Sequence, residues 1–330
     1  MSAPPTAAPT VLVTTDYLVP GDEVDAFLRD AGFATRHRPP RGPRGHAELV
    51  AILAGAEGAL IGNEPMTAEV FANAPDLRAV VRTGVGYDSV DVDAATRAGV
   101  SVSNLPGVNA NAVAEYTMAL LLAQARRLVP AAAGVRAGGW PREDGHELRG
   151  RTLGLLGYGA AARAVVPLAR AFGMTVLCTT SVPESGRRDA AARFVGLPEL
   201  LTAADYLSVH TALTPATRHL IDAAALARMK PTAHLVNTAR GAIVDEAALA
   251  AAVRAGRLAG AALDVTATEP LPAGSPLRDV PGITVYSHLA GQTAEARRAA
   301  GLDGARELVA ALRGRPRTSL NAHLFQRDED

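Results

Sequence analysis

The sequence has little of several features that would narrow its function. It holds one cysteine, Cys178, so no disulfide can form within the chain, and this fits a reducing compartment. Basic and acidic residues number 33 each, so net charge gives no reason to expect binding to nucleic acid or an anionic membrane. No apolar run could span a bilayer without charges, and the opening MSAPPTAAPT lacks the features of a signal peptide. These absences predict a cytoplasmic protein that binds neither nucleic acid nor membrane.

Short β-rich segments alternate with longer segments rich in alanine and leucine. A first series of predicted strands consists of VLVTT, GALIG, AVVRTG and VSVSN. A second series consists of TLGLLG, TVLCT, YLSVH, AHLVN, GAALDV and GITVYS. Repeated strand–helix units predict a parallel sheet with helices on both faces. Because the pattern occurs twice and the length suits about two domains, we expect two α/β domains.

Two helical segments show unusual features. NANAVAEYTMALLLAQARRLV has no strand-like alternation and ends in paired arginines, so we predict a helix, followed by the polar connector AGGWPREDGHELRGR. The predicted helix after GYG contains Pro167, too far in to be a first-turn proline. An interior proline costs about 3 kcal/mol or kinks a helix. We therefore expect this helix to bend or to end early.

The stretch TLGLLGYGAAARAV combines an apolar strand, a glycine turn and the start of a helix. Gly157 would permit the tight turn, and Gly159 would let the backbone approach a pyrophosphate at the helix N-terminus. Ala162 occupies the third glycine position, where alanine is an accepted variant. The pattern predicts a dinucleotide site. An ordinary α/β turn or an S-adenosylmethionine loop remains an alternative at this point.

Polar side chains follow three predicted strands of the second series. Arg240 follows HLVN, Glu269 follows GAALDV, and His288 ends ITVYS. An arginine can grip a carboxylate in a bidentate fork, and a histidine can exchange a proton near neutral pH. A neighbouring glutamate would favour the imidazolium. Together they suit hydride transfer to a 2-keto acid, although each residue alone also fits a surface or turn role.

The chain resembles the D-2-hydroxyacid dehydrogenase family, and especially its phosphoglycerate-dehydrogenase-like members, over about residues 58–312. The motifs that carry the resemblance are RTGVGYDSVD, NLPGVNANAVAEYTMALLL, ELRGRTLGLLGYG, VHTALTPATRHLID, MKPTAHLVNTARGAIVDEAALAAAV, GAALDVTATEPLP and SHLAGQT. The resemblance implies an α/β fold of two Rossmann-like parallel-sheet domains, with the nucleotide-binding domain inserted into the substrate domain. We therefore expect a discontinuous substrate-binding domain, 1–105 plus 293–330, and a dinucleotide-binding domain, 106–292.

The resemblance also implies roles for particular residues. Arg240 would bind the substrate carboxylate and polarise the keto group, with Glu269 and His288 as the acid/base relay and no metal ion. The substrate carboxylate would also meet the backbone of Gly84, Val85 and Gly86. Cofactor contacts are expected from Gly157, Tyr158, Gly159, Ala160, Ala161, Thr180, His210, Thr238 and Asp264. The substrate would be a small 2-hydroxy or 2-keto acid.

Several positions depart from the family pattern. Ser287 stands where a proline precedes the histidine, and Ala290–Gly291 replaces a glycine pair. Glu64 would disfavour a second anionic group on the substrate. Thr180 replaces the acid that would accept hydrogen bonds from the ribose. We therefore expect NAD(H) to be slightly favoured and NADP(H) to be tolerated, the more so if Arg187 or Arg188 reaches a 2′-phosphate.

Two further expectations concern the oligomeric state and an alternative function. The resemblance implies a homodimer joined through the nucleotide domains, by the long helix from Asn109 and the arm around Trp140. A dinucleotide-sensing protein of the corepressor type, built on the same fold, is the alternative to an enzyme. The retention of Arg240, Glu269 and His288 favours the enzyme.

Overall fold

The structure, a computed structural model, describes residues 8–181, 183 and 189–325. The chain divides into two compact units. Unit 1 comprises Met1–Asn109 and Ala294–Asp330, and unit 2 comprises Ala110–Thr293. Unit 1 is therefore built from both ends of the chain, with the whole of unit 2 between its two parts.

The elements are as follows, in chain order. Unit 1 contains the strands β1 (Thr10–Val13), β2 (Ala34–His37), β3 (Ala56–Ile61), β4 (Ala79–Arg82) and β5 (Ser101–Ser103). Unit 2 contains β6 (Thr152–Leu156), β7 (Thr175–Thr179), β8 (Arg193–Phe194), β9 (Tyr206–Val209), β10 (His234–Asn237), β11 (Gly260–Leu263) and β12 (Ile283–Val285). The helices are α1 (Glu23–Asp30), α2 (His46–Leu53), α3 (Ala68–Ala72), α4 (Val92–Arg97), α5 (Ala110–Ala125), α6 (Leu128–Arg136), α7 (Ala160–Ala171), α8 (Leu197–Ala203), α9 (Ala223–Arg228), α10 (Glu246–Arg254) and α11 (Ala294–Leu312).

Unit 1 is a five-stranded parallel sheet in the order β2-β1-β3-β4-β5, with helices on both faces. Successive strand residues point to opposite faces, so Val11 and Val13 enter one buried cluster while Leu12 enters the other. Helix α11 completes the first cluster with Leu308 and Leu312. This alternation of fully buried apolar residues explains why the strands form the centre of the unit.

A buried carboxylate ties the end of the chain to unit 1. Glu307 on α11 is only 4% exposed. Its Oε1 accepts hydrogen bonds from Ser103 Oγ at 2.8 Å and from the N–H groups of Arg317 and Thr318 at 2.9 and 3.0 Å. Because several donors compensate the buried charge, the segment after α11 is fixed beside β5.

Unit 2 is a seven-stranded parallel sheet in the order β12-β11-β10-β9-β6-β7-β8. Apolar clusters cover both of its faces, one around Leu207, Leu235 and Leu263 and the other around Leu153 and Val236. The order in which strands are added to the sheet reverses at β6. Strands β7 and β8 lie on one side of β6, and β9–β12 lie on the other. Ligands in open parallel sheets bind beyond the strand carboxyl ends at such a switch point. The predicted α/β fold with two parallel sheets is confirmed.

The long apolar segment forms a broken helix. Helix α5 ends at Ala125, just before the paired arginines, and α6 continues after Arg127, whose φ of 51° is left-handed. Among the described residues no single helix is long and apolar enough to cross a membrane, although the bent pair α5–α6 meets the same length and composition test. Half of the residues of α5, including Met118 and Leu121, are buried inside unit 2.

Other local predictions need correction. Helix α7 runs through Pro167 to Ala171, so the expectation that the proline ends it early is wrong. Its interior proline lies on a helix whose buried face includes Val165, Val166 and Ala169. Packing of this face supplies the stability that offsets the missing hydrogen bond. Strands β2 and β8 were not predicted, because ATRH and RF lack an apolar run.

Candidate active site

The candidate site lies at the carboxyl edge of the unit 2 sheet. Because all neighbouring strands are parallel, the residues that follow them share this edge. They are Gly157–Gly159 after β6, Thr180 after β7, His210 after β9, Thr238 and Arg240 after β10, Asp264 and Glu269 after β11, and His288 after β12. The structure thus brings the predicted residues of unit 2 to one edge.

The two glycines of the loop after β6, Gly157 and Gly159, differ in whether a side chain would fit at their position. Gly157 has φ +107°, and a Cβ there would lie 2.7 Å from the carbonyl carbon and oxygen of His210. Only glycine fits this close approach of two backbones. A Cβ at Gly159 would meet nothing within 4 Å, although Gly159 is the N-cap of α7 and has no side-chain cap hydrogen bond. The space beside Gly159 and the amides of Ala160 and Ala161 therefore suits an anionic ligand.

Tyr158 contributes only its backbone to the loop, because its side chain lies inside unit 2. The ring is 5% exposed and packs edge-on against Phe194, with centroids 4.9 Å apart. Its hydroxyl donates to Asp189 Oδ2 at 2.8 Å. Burial, and then the neighbouring Asp189 carboxylate, raise the pKa of Tyr158 to about 12. Ala162, at the third glycine position, is fully buried.

Three further predicted cofactor residues on this edge, Thr180, His210 and Thr238, are polar and uncharged. Thr180 directly follows β7, whereas Arg187 and Arg188 lie outside the described residues. His210 shares a hydrogen bond of 2.8 Å between Nε2 and Ser208 Oγ, and burial lowers its pKa to about 4. Its imidazole is therefore neutral at neutral pH. Thr238 Oγ1 lies 3.4 Å from Thr117 Oγ1 on α5.

Arg240, Glu269 and His288 form a charged group at the β10–β12 side of the edge. His288 Nδ1 lies 2.8 Å from Glu269 Oε2, and Glu269 Oε1 accepts from the N–H of Thr266 at 3.1 Å. Burial would raise the pKa of Glu269, but the hydrogen bond and charge of His288, the Thr266 amide and the charge of Arg240 lower it below its ordinary value. Glu269 is therefore an ionised acceptor, which holds the imidazole of His288 through Nδ1.

Asp264 is held beneath the His288 turn. Its carboxylate is 1% exposed and accepts hydrogen bonds from the N–H groups of Leu289 and Ala290 at 2.8 and 2.9 Å. The sequence argument did not predict this contact, because it joins residues more than twenty positions apart. No three His, Cys, Asp or Glu side chains within the described ranges lie close enough together to hold a metal ion.

The predicted substrate loop lies at the carboxyl edge of the unit 1 sheet, after β4. The Gly84 carbonyl accepts from the N–H of Leu105 at 2.9 Å, and the Val85 carbonyl accepts from Asn104 Nδ2 at 2.6 Å. In a planar trans peptide the N–H of the following residue points in the direction opposite to the carbonyl. The N–H groups of Val85 and Gly86 therefore point away from these partners, whereas the N–H of Gly84 donates to the Arg82 carbonyl at 2.8 Å.

Glu64, which was expected to disfavour a second anionic group on the substrate, is paired inside unit 1. It is 7% exposed, its Oε1 lies 3.3 Å from Arg44 Nη1, and its Oε2 accepts from the N–H of Gly62 at 2.7 Å. Arg82 instead donates to Asn63 Oδ1 at 2.6 Å. Because Arg44 compensates the carboxylate inside unit 1, repulsion of a second substrate anion by Glu64 loses its basis.

Comparison with known sequences identifies the family. Residues 118–290 match the family described as D-isomer specific 2-hydroxyacid dehydrogenase, NAD binding domain. A glyoxylate reductase of Aeropyrum pernix is 43% identical over 257 residues, which cover 75% of this chain and 77% of that protein. A D-3-phosphoglycerate dehydrogenase of Mycobacterium leprae is 42% identical over 271 residues, which cover 81% of this chain and 51% of that protein.

Solved structures show the same architecture. The TT0316 protein of Thermus thermophilus has a TM-score of 0.85 and 39% identity, covering 94% of this chain and 99% of that one. An NAD-dependent formate dehydrogenase of Staphylococcus aureus, in complex with NAD, has a TM-score of 0.82 and 28% identity, covering 93% of this chain and 97% of that one. An acyclic imino acid reductase in complex with NADPH has a TM-score of 0.84 and 25% identity, covering 94% of this chain and 99% of that one.

The chain belongs to the D-isomer specific 2-hydroxyacid dehydrogenase family. It is an oxidoreductase of that family and carries its NAD binding domain.

Proposed function

We propose that this protein transfers a hydride between a nicotinamide dinucleotide and a small D-2-hydroxy or 2-keto acid. The observation that carries the proposal is the His288–Glu269 pair at 2.8 Å, close enough to Arg240 for its charge to lower the pKa of Glu269. The pair and Arg240 share the sheet edge with the glycine loop. A proton donor, a carboxylate anchor and a phosphate-binding loop are the three parts that this reaction needs.

Each charged residue has a distinct task in the proposed reaction. Arg240 binds the substrate carboxylate and polarises the keto oxygen. In reduction, protonated His288 gives its Nε2 proton to that oxygen, and in oxidation the neutral imidazole takes the hydroxyl proton. Glu269 accepts from Nδ1 throughout, which fixes the ring and stabilises the imidazolium. A bound nicotinamide supplies or accepts the hydride at the substrate C2.

We also propose the residues that hold the two ligands. The open space at Gly159 and the α7 amides would take the pyrophosphate, so unit 2 would be the dinucleotide-binding domain. The other cofactor contacts would come from Gly157, the Tyr158 backbone, Ala160, Ala161, Thr180, His210, Thr238 and Asp264. In the Gly84–Val85–Gly86 loop the amides of Val85 and Gly86 would bind the substrate carboxylate, because that of Gly84 donates to the Arg82 carbonyl, so unit 1 would be the substrate domain.

Reduction of a panel of 2-keto acids, followed as loss of NADH or NADPH absorbance, tests the proposal. We expect turnover of at least one small 2-keto acid with NADH. Glyoxylate, hydroxypyruvate and keto acids with a second anionic group belong in the panel, because Glu64 no longer argues against the last. Tight NADH binding without turnover of any member would favour a dinucleotide sensor. Binding of S-adenosylmethionine instead of NADH would favour a methyltransferase.

Thr180 makes the cofactor preference testable. An uncharged threonine neither grips the ribose diol as an acid does nor repels a 2′-phosphate, so NAD(H) should be slightly favoured and NADP(H) tolerated. Thr180→Asp should lower kcat/KM for NADPH at least about tenfold more than for NADH, through charge repulsion.

The matched control is Thr180→Asn, which adds similar bulk without charge. Its NADH-to-NADPH ratio should stay near that of the wild type. An unchanged ratio in Thr180→Asp, or a wild type that already rejects NADPH by several orders of magnitude, would show that Thr180 does not lie at the ribose.

The surface around α6 supports a homodimer. Val135 on α6 is 50% exposed, and Trp140 in the following arm is 78% exposed. Exposed large apolar side chains that cluster in one segment are typical of interfaces. We expect sedimentation equilibrium to give a dimer mass, and Val135→Asp with Trp140→Ser to give a monomer. A monomeric wild type would refute this proposal.

A further inference from the structure

The proposed substrate loop needs two peptide planes in fixed orientations. The substrate carboxylate would meet the N–H groups of Val85 and Gly86, which belong to the Gly84–Val85 and Val85–Gly86 peptides. Glycine stands on both sides of Val85, so backbone sterics alone do not fix these two planes. Partners outside the loop must therefore set the direction of both N–H groups.

The segment after β5 supplies both partners. Strands β4 and β5 are parallel neighbours, so the loop after β4 and the residues after β5 lie at the same edge of the unit 1 sheet. The N–H of Leu105 donates to the Gly84 carbonyl at 2.9 Å, which orients the first peptide. Asn104 Nδ2 donates to the Val85 carbonyl at 2.6 Å, which orients the second. Because the N–H and the carbonyl of a trans peptide point in opposite directions, each hydrogen bond turns one N–H away from the segment after β5.

Of these two partners, Asn104 is the one that acts through its side chain. Asn104 is 5% exposed, whereas Val85, whose carbonyl it holds, is 38% exposed. The backbone carbonyl of Asn104 accepts from Thr318 Oγ1 at 2.7 Å. The N–H of Thr318 in turn donates to the buried Glu307 carboxylate at 3.0 Å. The donor is therefore fixed in the packed part of unit 1, while the loop that it holds lies at the surface of that unit.

We propose that Asn104 is a positioning residue for the substrate carboxylate, which it places by holding the Val85–Gly86 peptide so that the Gly86 N–H is presented to it. This inference rests on the proposed role of the Gly84–Val85–Gly86 loop in binding that carboxylate. Asn104 does not touch the substrate and acts through the Gly86 amide. It therefore affects how tightly the substrate is bound and leaves the proton and hydride transfers to other residues.

Asn104→Ala removes the donor to the Val85 carbonyl and leaves the Leu105 contact in place. We expect KM for the best 2-keto acid of the panel to rise about tenfold, because one hydrogen bond to a charged group is no longer in position. The Ki of oxamate, an unreactive analogue with the same carboxylate, should rise by a similar factor. kcat should stay within about twofold of wild type, because loss of binding that is equal in the ground and transition states changes KM alone. The Kd for NADH, measured by fluorescence titration, should not change, since the proposed cofactor contacts lie in unit 2.

Thr318→Val provides a second, milder variant. It keeps the shape of the side chain and removes the hydroxyl that holds the Asn104 carbonyl. We expect KM and the Ki of oxamate to rise about two- to threefold, in the same direction as in Asn104→Ala, because Asn104 is held less firmly. If Asn104→Ala does not fold, Thr318→Val decides the proposal, and wild-type KM and Ki in this variant would then overturn it.

Asn321→Ala is the matched control. Asn321 is also a buried asparagine of unit 1 and is 1% exposed. Its Oδ1 accepts from the N–H of Val102 at 2.9 Å, and its Nδ2 donates to the Val100 carbonyl at 2.9 Å, so it holds β5 and not the substrate loop. This variant should lower Tm, as Asn104→Ala does, but it should keep the wild-type KM and Ki.

The outcomes separate the two proposals. If the wild type reduces keto acids and a folded Asn104→Ala keeps the wild-type KM and Ki, the positioning role is wrong and the proposed function stands. An equal rise of KM in Asn321→Ala would also overturn the positioning role, because general loosening of unit 1 would then explain the effect. A lower kcat with unchanged KM in Asn104→Ala would overturn it as well, because Asn104 would then act on the chemical step. If the wild type reduces no keto acid, the proposed function fails and this inference fails with it.

Discussion

Replacing Arg240 by alanine should lower kcat/KM for reduction of the best 2-keto acid by about 10²–10³-fold, the loss expected when one donor to the transition state is removed. In the proposed mechanism, alanine would remove the bidentate grip on the carboxylate and the positive charge that polarises the keto oxygen. It also removes the charge that helps to keep Glu269 ionised. Steady-state kinetics with the best substrate of the panel give the measurement.

Two further variants make the Arg240 result specific. Arg240→Lys keeps the charge without the planar fork, so it should recover only part of the lost activity. Arg228→Ala removes an exposed arginine on α9 and should leave kcat/KM unchanged. Wild-type kinetics in Arg240→Ala would show that the substrate carboxylate is held elsewhere.

Replacing His288 by asparagine should reduce kcat by about 10²–10⁴-fold, the usual contribution of general acid–base catalysis. In the wild type, the rate of reduction should fall as pH rises and the imidazolium loses its proton, whereas the rate of oxidation should rise. The variant should lose both pH dependences. The pKa of Glu269 is lowered, so its carboxylate stays ionised at the pH values at which an imidazolium loses its proton. Glu269 therefore adds no second transition to the pH profile of the rate.

The chain provides a close control for His288. His46 and Glu69 in unit 1 form another pair with Nδ1 2.8 Å from a glutamate oxygen; both side chains are exposed, and neither is among the residues proposed to bind a ligand. His46→Asn should therefore keep the wild-type rate and pH profile. If His288→Asn retains near-normal reduction with the same pH profile, another group donates the proton.

The sequence was informative wherever local chemistry decides the structure. The apolar strands, the glycine turn and the residues that follow β10, β11 and β12 were all predicted, because strand periodicity and parallel topology set their places. Strands such as β2, with the polar sequence ATRH, carry no such signal. Their pairing is decided by neighbours distant in sequence.

The parts that could not be predicted depend on long-range partners. Nothing local to Glu64 indicates that Arg44, twenty positions earlier, compensates its charge. Likewise, the contacts of Asp264 with Leu289 and of Tyr116 with Tyr286 arise only once the sheet has assembled. The types of residue at the site follow from sequence, whereas their mutual support follows from tertiary packing.

The construction of unit 1 from both ends of the chain has a consequence for synthesis on the ribosome. Val11 and Val13 are translated before unit 2, yet Leu308 and Leu312 of the same buried cluster belong to α11, which is translated after unit 2. Unit 2 has all its strands between Ala110 and Thr293, so it can fold while α11 is still being translated. During that interval the strands that α11 covers in the finished unit, β3 and β4 among them, lack this cover. The early part of unit 1 is thus completed only by a segment made after unit 2, and this is the stage at which a chaperone would matter most.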